Sequence, residues 1–136
     1  MKQITILAEN KKDLMADVTQ LLANAGVDID SITGDNYGEQ AIVTVTVRNY
    51  AAALNAIEKR ADLQVMSEDA LLVRINDELG ALAKLSRRFA DAGINIRSIR
   101  FVERHLDDND HGHALVAIAT ERTEEALELV RDILVS

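Results

Sequence analysis

Two stretches of this chain are close copies of each other: NAGVDIDSI at residues 24–32 and DAGINIRSI at residues 91–99. With Gly26 set on Gly93, Ala16 falls on Ala83, Ala25 on Ala92, Ile29 on Ile96, Ser31 on Ser98 and Ile32 on Ile99. Further on, AIVTVTV (41–47) matches ALVAIAT (114–120), and Ala53 and Leu54 match Ala126 and Leu127, now at an offset of 73 rather than 67. Six extra residues therefore lie between Ile99 and Ala114, and HLDDNDHGH (105–113) is the expected place for them. An internal repeat over 136 residues predicts two small units, 1–68 and 69–136. Units this small bury a modest share of their surface and gain from leaning on each other.

Each copy carries the same periodicity. A short apolar run (ITILA, 4–8; LLVRI, 71–75) is followed by apolar residues at helical spacing: Leu14, Val18, Leu21, Leu22, Ala25, then Leu79, Leu82, Leu85, Phe89, Ala92. Gly26 and Gly93 stand where a helix stops with a residue at positive φ. An extended segment begins at Val27 or Ile94 and a hairpin follows, with Asn36 and Gly38 as the turn residues in the first copy. The next strand alternates Ala41, Val43, Val45 and Val47 against Thr44 and Thr46. A second helix is expected over about Tyr50–Arg60 and Glu124–Leu134, and ADLQVMSE supplies a fourth strand to the first copy alone. The order is β-α-β-β-α-β, twice: an α+β fold of two ferredoxin-like units with antiparallel sheets. The second copy ends at Ser136, aligned with Leu63, and so lacks its own last strand. An open edge invites pairing, which favours a homodimer.

Composition limits the function. With 23 acidic against 15 basic residues the net charge is −8, a field that repels a phosphate backbone and argues against nucleic acid. Aromatics make up 3% of the chain, so the core is aliphatic. Only Phe101 and a turn-proximal Tyr37 accompany the strands, which fails a base-stacking sheet. There is no Cys, and no span approaches the ~20 apolar residues of a membrane helix, so a cytoplasmic protein is expected. No Gly-x-Ser-x-Gly elbow, phosphate loop or thiol nucleophile is present, and neither catalysis nor a cofactor is expected.

The loops that open the first helix of each copy, 8–17 and 75–84, carry the candidate chemistry. A helix N-terminus offers unpaired N–H groups and partial positive charge, which suit a carboxylate. Gly80 leaves the backbone open to close approach. Asp77 or Asn76 would cap the helix or hold an ammonium group; plain capping explains the same residues without a ligand.

The run INDELGALAKLSRRFADAGINIRSI resembles the opening of an ACT domain, a strand followed by D-x-P-G-x-L, a helix and A-x-x-G-I-N-I. Asp77, Gly80, Leu82, Gly93, Ile94, Asn95 and Ile96 carry the match in the second copy. Asn10, Leu14, Gly26, Val27, Asp28 and Ile29 carry it in the first. The whole is similar to stand-alone tandem ACT proteins. The resemblance implies a regulatory module that binds a small amino acid between paired units. The ligand would touch the first loop of one unit and the second-strand start of another. On this chain those positions are Asp77, Gly80, Ala81 and Leu82 with Asn95 and Ile96, and Asn10 and Leu14 with Asp28 and Ile29. N–H groups near Gly80 and Ala81 would hold the carboxylate; Asp77, Asn95 or Asp28 would hold the amine. The family's proline is replaced by Lys12 and Leu79, and its glycine by Asp13 in the first copy. The second copy is thus expected to keep the better ligand loop. A partner enzyme would receive the signal.

All three histidines lie in HLDDNDHGH. A hairpin centred on Asn109 would set His105 opposite His113 and Asp107 opposite His111, which makes His105, Asp107, His111 and His113 weak metal candidates. A calcium loop would need a bidentate Glu at position 118, which is Ile; a solvated turn is the expected reading of the segment. Arg100 and Arg104, at even spacing, are expected on one strand face. They would steer an anion or pair with nearby carboxylates. Two further readings remain beside the sensor: an interaction module recruiting a partner through the open sheet edge, and a divalent-metal binder.

Overall fold

The computed structural model describes residues 1–105 and 112–135. It divides into two compact units, Lys2–Glu68 and Asp69–Ser136, with Met1 counted in the second. Met1 belongs there because its ammonium donates to the Ala70 carbonyl at 2.9 Å.

The N-terminal unit runs β1 (Lys2–Glu9), α1 (Leu14–Asn24), β2 (Ile29–Tyr37), β3 (Gln40–Val47), α2 (Tyr50–Glu58) and β4 (Gln64–Asp69), in a sheet of order β2-β3-β1-β4. The C-terminal unit runs β5 (Leu71–Asn76), α3 (Ala81–Asp91), β6 (Ile96–His105), β7 (His113–Thr120) and α4 (Thr123–Leu129), in a sheet of order β5-β7-β6. This is the expected ferredoxin-like plan, with no fourth strand in the second sheet among the described residues. That edge is partly covered from within. Arg74 N–H donates to the Ile133 carbonyl at 2.9 Å, and Val135 N–H to the Leu72 carbonyl at 2.7 Å, around a bridge between Val73 and Leu134.

The repeat dictates both cores. Ile6, Val18, Leu22, Val43, Val45, Ala53 and Ile57 are buried in the first unit. Their counterparts Val73, Leu85, Phe89, Val116, Ile118, Ala126 and Val130 are buried in the second. Each large side chain so enclosed is worth about 1.5–3 kcal/mol over leaving it in water. Helix ends are duplicated too. Gly26 and Gly93 both have φ 72°. Past them, Val27 N–H reaches the Leu22 carbonyl and Ile94 N–H the Phe89 carbonyl, each at 3.0 Å. These are the long-range closing bonds of a left-handed helix stop.

Several expected boundaries shift. The strands after the glycines begin at Ile29 and Ile96, not at Val27 and Ile94, which are buried at the preceding turns. Asn36 lies inside β2, and the turn falls on Gly38 and Glu39 between the Tyr37–Gln40 pair. The last helix ends at Leu129, not Leu134. Beyond it the chain turns so that Ile133 and Val135 can bond to β5.

Register also relocates the extra residues of the second copy. Both units share a bulge near the start of the outer strand, at Ile29/Ser31 and Ile96/Ser98. The C-terminal unit has one more, between Phe101 and Glu103. Val102 thus accounts for one of the six residues, and only the other five fall between His105 and His113. Because side-chain direction alternates along a strand, the bulge reverses every face beyond it. Arg100 pairs with Ala117, and Arg104 with Ala114. Ala117 and Ala114 sit on opposite faces, an odd number of residues apart, so Arg100 and Arg104 do not share a face as even spacing suggested. Arg104 instead joins Phe101, whose partner is Val116, on the side of the sheet that carries the core.

Candidate functional site

The two helix-start loops have the same backbone frame. Asn10 N–H donates to the Glu39 carbonyl at 2.8 Å and Leu14 N–H to the Lys11 carbonyl at 3.2 Å. In the second loop Asp77 N–H donates to Gly112 at 2.9 Å and Ala81 N–H to Glu78 at 3.1 Å. The first regular helical bonds are Asp17 to Asp13 at 2.8 Å and Lys84 to Gly80 at 3.0 Å. In α3 this leaves the N–H groups of Leu82 and Ala83 without an acceptor inside the helix. Of the N–H groups near Gly80 and Ala81, that of Ala81 is taken by the Glu78 carbonyl.

Gly80 stands just before α3 with φ 86°, and a Cβ built there would meet no atom within 4 Å. The backbone at this point is open to a ligand. Among the described residues no side chain caps α3, so neither Asn76 nor Asp77 plays the capping role that sequence suggested. The Asp77 carboxylate turns to Arg104, accepting from Nε at 2.9 Å and Nη2 at 2.8 Å. The Asp77 side chain is only 9% exposed, and the Arg104 hydrogen bonds hold its carboxyl below the ordinary aspartate range. Arg104 in turn lies over the Phe101 ring, 4.5 Å from its centroid.

These residues face one depression of about 500 Å3, lined by Ile75, Asp77, Gly80, Leu82, Phe101 and Arg104 among others. The corresponding place in the N-terminal unit is a depression of about 430 Å3. Asn10, Lys12, Leu14, Met15, Gly34 and Asn36 lie along it. There Asn10 Nδ2 donates to the Gly38 carbonyl at 3.2 Å. Where the second unit has Phe101 the first has Gly34, and the Met15 methyl fills the space a Cβ would need.

The remaining candidates lie elsewhere. Ile96 pairs with Thr120, while His105 pairs with His113, and His113 with Asn76. The start of β6 and the Asp77–Gly80 loop thus stand at opposite ends of one sheet, roughly 23 Å apart at the strand rise of β7. Ile29, paired with Val47, is remote from Asn10 in the same way. Asn95 and Asp28 are exposed, and the Asp28 carboxylate is 3.7 Å from Arg48 Nε. Within a unit, then, the structure gathers Asp77, Gly80, Ala81 and Leu82, or Asn10 and Leu14. It does not bring Asn95, Ile96, Asp28 or Ile29 to them.

His105 and His113 face each other across the strand pair with ring centroids 4.8 Å apart, and His105 Nε2 lies 2.8 Å from Glu103 Oε2. Asp107 and His111 lie outside the described residues. Among the described residues, no group of three or more His, Cys, Asp and Glu is placed to hold a metal ion. Among them, too, no helix is long and apolar enough to cross a membrane.

Sequence reasoning missed Phe101 and Arg104 as members of the loop site. The signal was the odd length of the second copy: one added residue in an outer strand re-aims whatever follows it.

A family model described as an ACT domain pair matches residues 1–133. The fold is similar to that of a protein from Bacteroides thetaiotaomicron, at a TM-score of 0.77 and 21% identity over 98% of this chain and 90% of that one. It is also similar to the regulatory subunit of aspartate kinase from Thermus flavus, with a TM-score of 0.62, 25% identity and coverage of 96% and 90%. The same subunit from Thermus thermophilus gives 0.63, 24%, 97% and 91%. No curated protein matches the chain.

Proposed function

Because the chain belongs to the ACT domain pair family, we propose that it is a non-catalytic regulatory protein that binds a small amino acid at its helix-start loops. The observation that carries this reading is the C-terminal loop, where Gly80 leaves the backbone uncovered beside a helix start. The carboxylate is received there, with the unbonded Leu82 and Ala83 N–H groups in reach. Asn95 and Asp28 lie too far along their own sheets to join their own loops. They serve as amine-side groups only when a strand start from another unit meets the loop. A ligand shared in this way favours one arrangement of units by its differential affinity. The protein acts in the cytoplasm as a homodimer, and a partner enzyme reads the state.

Thermal shift of the whole chain against the twenty amino acids tests the proposal. One or a few amino acids raise the transition temperature, and Gly80→Asp abolishes the rise. A flat response to all twenty sinks it. One observation favours a second reading, an interaction module: Ile99, Phe101 and Val102 are exposed on the outer strand β6. Strand addition by a partner protein whose strand carries a matching bulge would cover them.

A further inference from the structure

We infer that Arg104 is the side chain that binds the ligand carboxylate in the C-terminal unit, beside the Leu82 and Ala83 N–H groups, and that Phe101 with Leu82 selects a ligand with an apolar side chain. This rests on the amino-acid reading above and names the class within it.

Arg104 is held on two sides. Asp77 takes the edge formed by Nε and Nη2. The Phe101 ring supports the guanidinium plane at 4.5 Å. A guanidinium carries five N–H donors, and a pair made through Nε and Nη2 leaves the far edge, Nη1 and the second Nη2 proton, free to take another carboxylate. The Arg104 side chain remains 58% exposed although it is bonded in this way. Asp77 is therefore a positioning residue. It fixes the direction of the cation and does not itself receive the ligand's amine.

The rest of the depression is largely apolar: Ile75, Leu79, Leu82 and Phe101 line it beside Gly80. Leu79 is wholly exposed, an apolar side chain at the loop tip with nothing over it. A fixed cation beside an apolar floor fits a monocarboxylate with a hydrophobic side chain. It disfavours an acidic side chain, which would bring a second negative charge beside Asp77 and Glu78. In the N-terminal unit the outer strand supplies neither residue, because Gly34 stands at the place of Phe101 and Asn36 at that of Arg104; the cations along that depression are Lys11 and Lys12.

Calorimetric titration of the full chain tests this, with L-leucine, L-phenylalanine, L-aspartate, L-lysine and L-leucinol, an amine without the carboxylate. The wild type binds leucine or phenylalanine in preference to aspartate and lysine, and leucinol about tenfold or more weakly. Arg104→Gln loses about tenfold or more for leucine or phenylalanine, while Arg87→Gln, which removes one charge elsewhere on the unit, stays within about twofold. Arg104→Lys keeps the charge but not the fork, and recovers only part of the affinity. Phe101→Gly narrows the gap between apolar and charged ligands. Unchanged affinity in a folded Arg104→Gln, or a preference for aspartate or lysine, overturns the assignment while leaving an amino-acid sensor in place. Failure of the wild type to bind any of these four overturns the assignment, and a flat response to all twenty overturns the sensor with it.

Discussion

Asp13 and Gly80 hold the same place in two loops that bond alike, yet their backbones differ: φ −99° at Asp13 and 86° at Gly80. The first loop is one that any residue can build. The second enters a left-handed conformation natural to glycine. Around them the side chains diverge further. Asn10 bonds back to its own hairpin, whereas Asp77 reaches across to Arg104. Met15 covers Gly34, whereas Leu82 lines a depression floored by Phe101. Duplication kept the frame, and changes at a handful of positions made one loop a surface turn and the other an open, oriented recess.

Substitutions at matched positions can break or sharpen this comparison. The largest effect is expected in the cores. Leu22 and Phe89 are equivalent and both are fully buried. Phe89→Ala should cost about 3–5 kcal/mol and Leu22→Ala about 2–5 kcal/mol, read from urea denaturation. Hydrogen exchange should place each loss first in the unit that carries the change. Equal loss of protection in both units from either substitution would show that the duplicated cores do not act as separate bodies.

Next come the two loop positions. Gly80→Ala should destabilise by about 1–2 kcal/mol through its positive φ, although nothing crowds the new Cβ. Asp13→Gly should cost about 0.5–1 kcal/mol through added freedom in the unfolded chain. Thermal melts of the two variants would contradict the backbone difference if Asp13→Gly were the worse.

The smallest effect concerns charge. Arg60 bridges Asp17 at 2.7 Å and Asp62 at 2.9 Å in the N-terminal unit. Its hydrogen bonds hold both carboxyls below the ordinary range, as Arg104 does for Asp77. The sign follows from proton linkage. Carboxyls depressed in the folded state add stability above the unfolded value of about 3.9, and that gain is lost as pH falls below it through the folded values. Transition temperatures should fall below about pH 4, and Arg60→Gln should flatten that fall. The Arg60, Asp17 and Asp62 side chains are about a third to a half exposed, so the change on Arg60→Gln is modest.

Much of this architecture is legible from residues alone. The matched apolar sets and the two stop glycines carry periodicity, which reports burial directly. Register is less legible. Nothing local marks Val102 as an added residue, since IRSIRFVERH reads as an uninterrupted strand; only pairing with β7 reveals the slip. The Asp77–Arg104 contact follows from that slip and was hidden with it. The early end of α4 escaped for a related reason. Leu134 and Val135 continue an apolar pattern that suits a helix, but the uncovered backbone of β5 claims them.

The same slip has a bearing on what can pair with the outer strand. Strand β6 lies on the rim of its sheet and shows Ile99, Phe101 and Val102 to water, a combination that in a flat ribbon would seed stacking between molecules. The irregularity at Val102 puts that rim out of step with any straight intruding strand. A cross-molecular ladder started at Ile96 would lose its alignment before reaching His105.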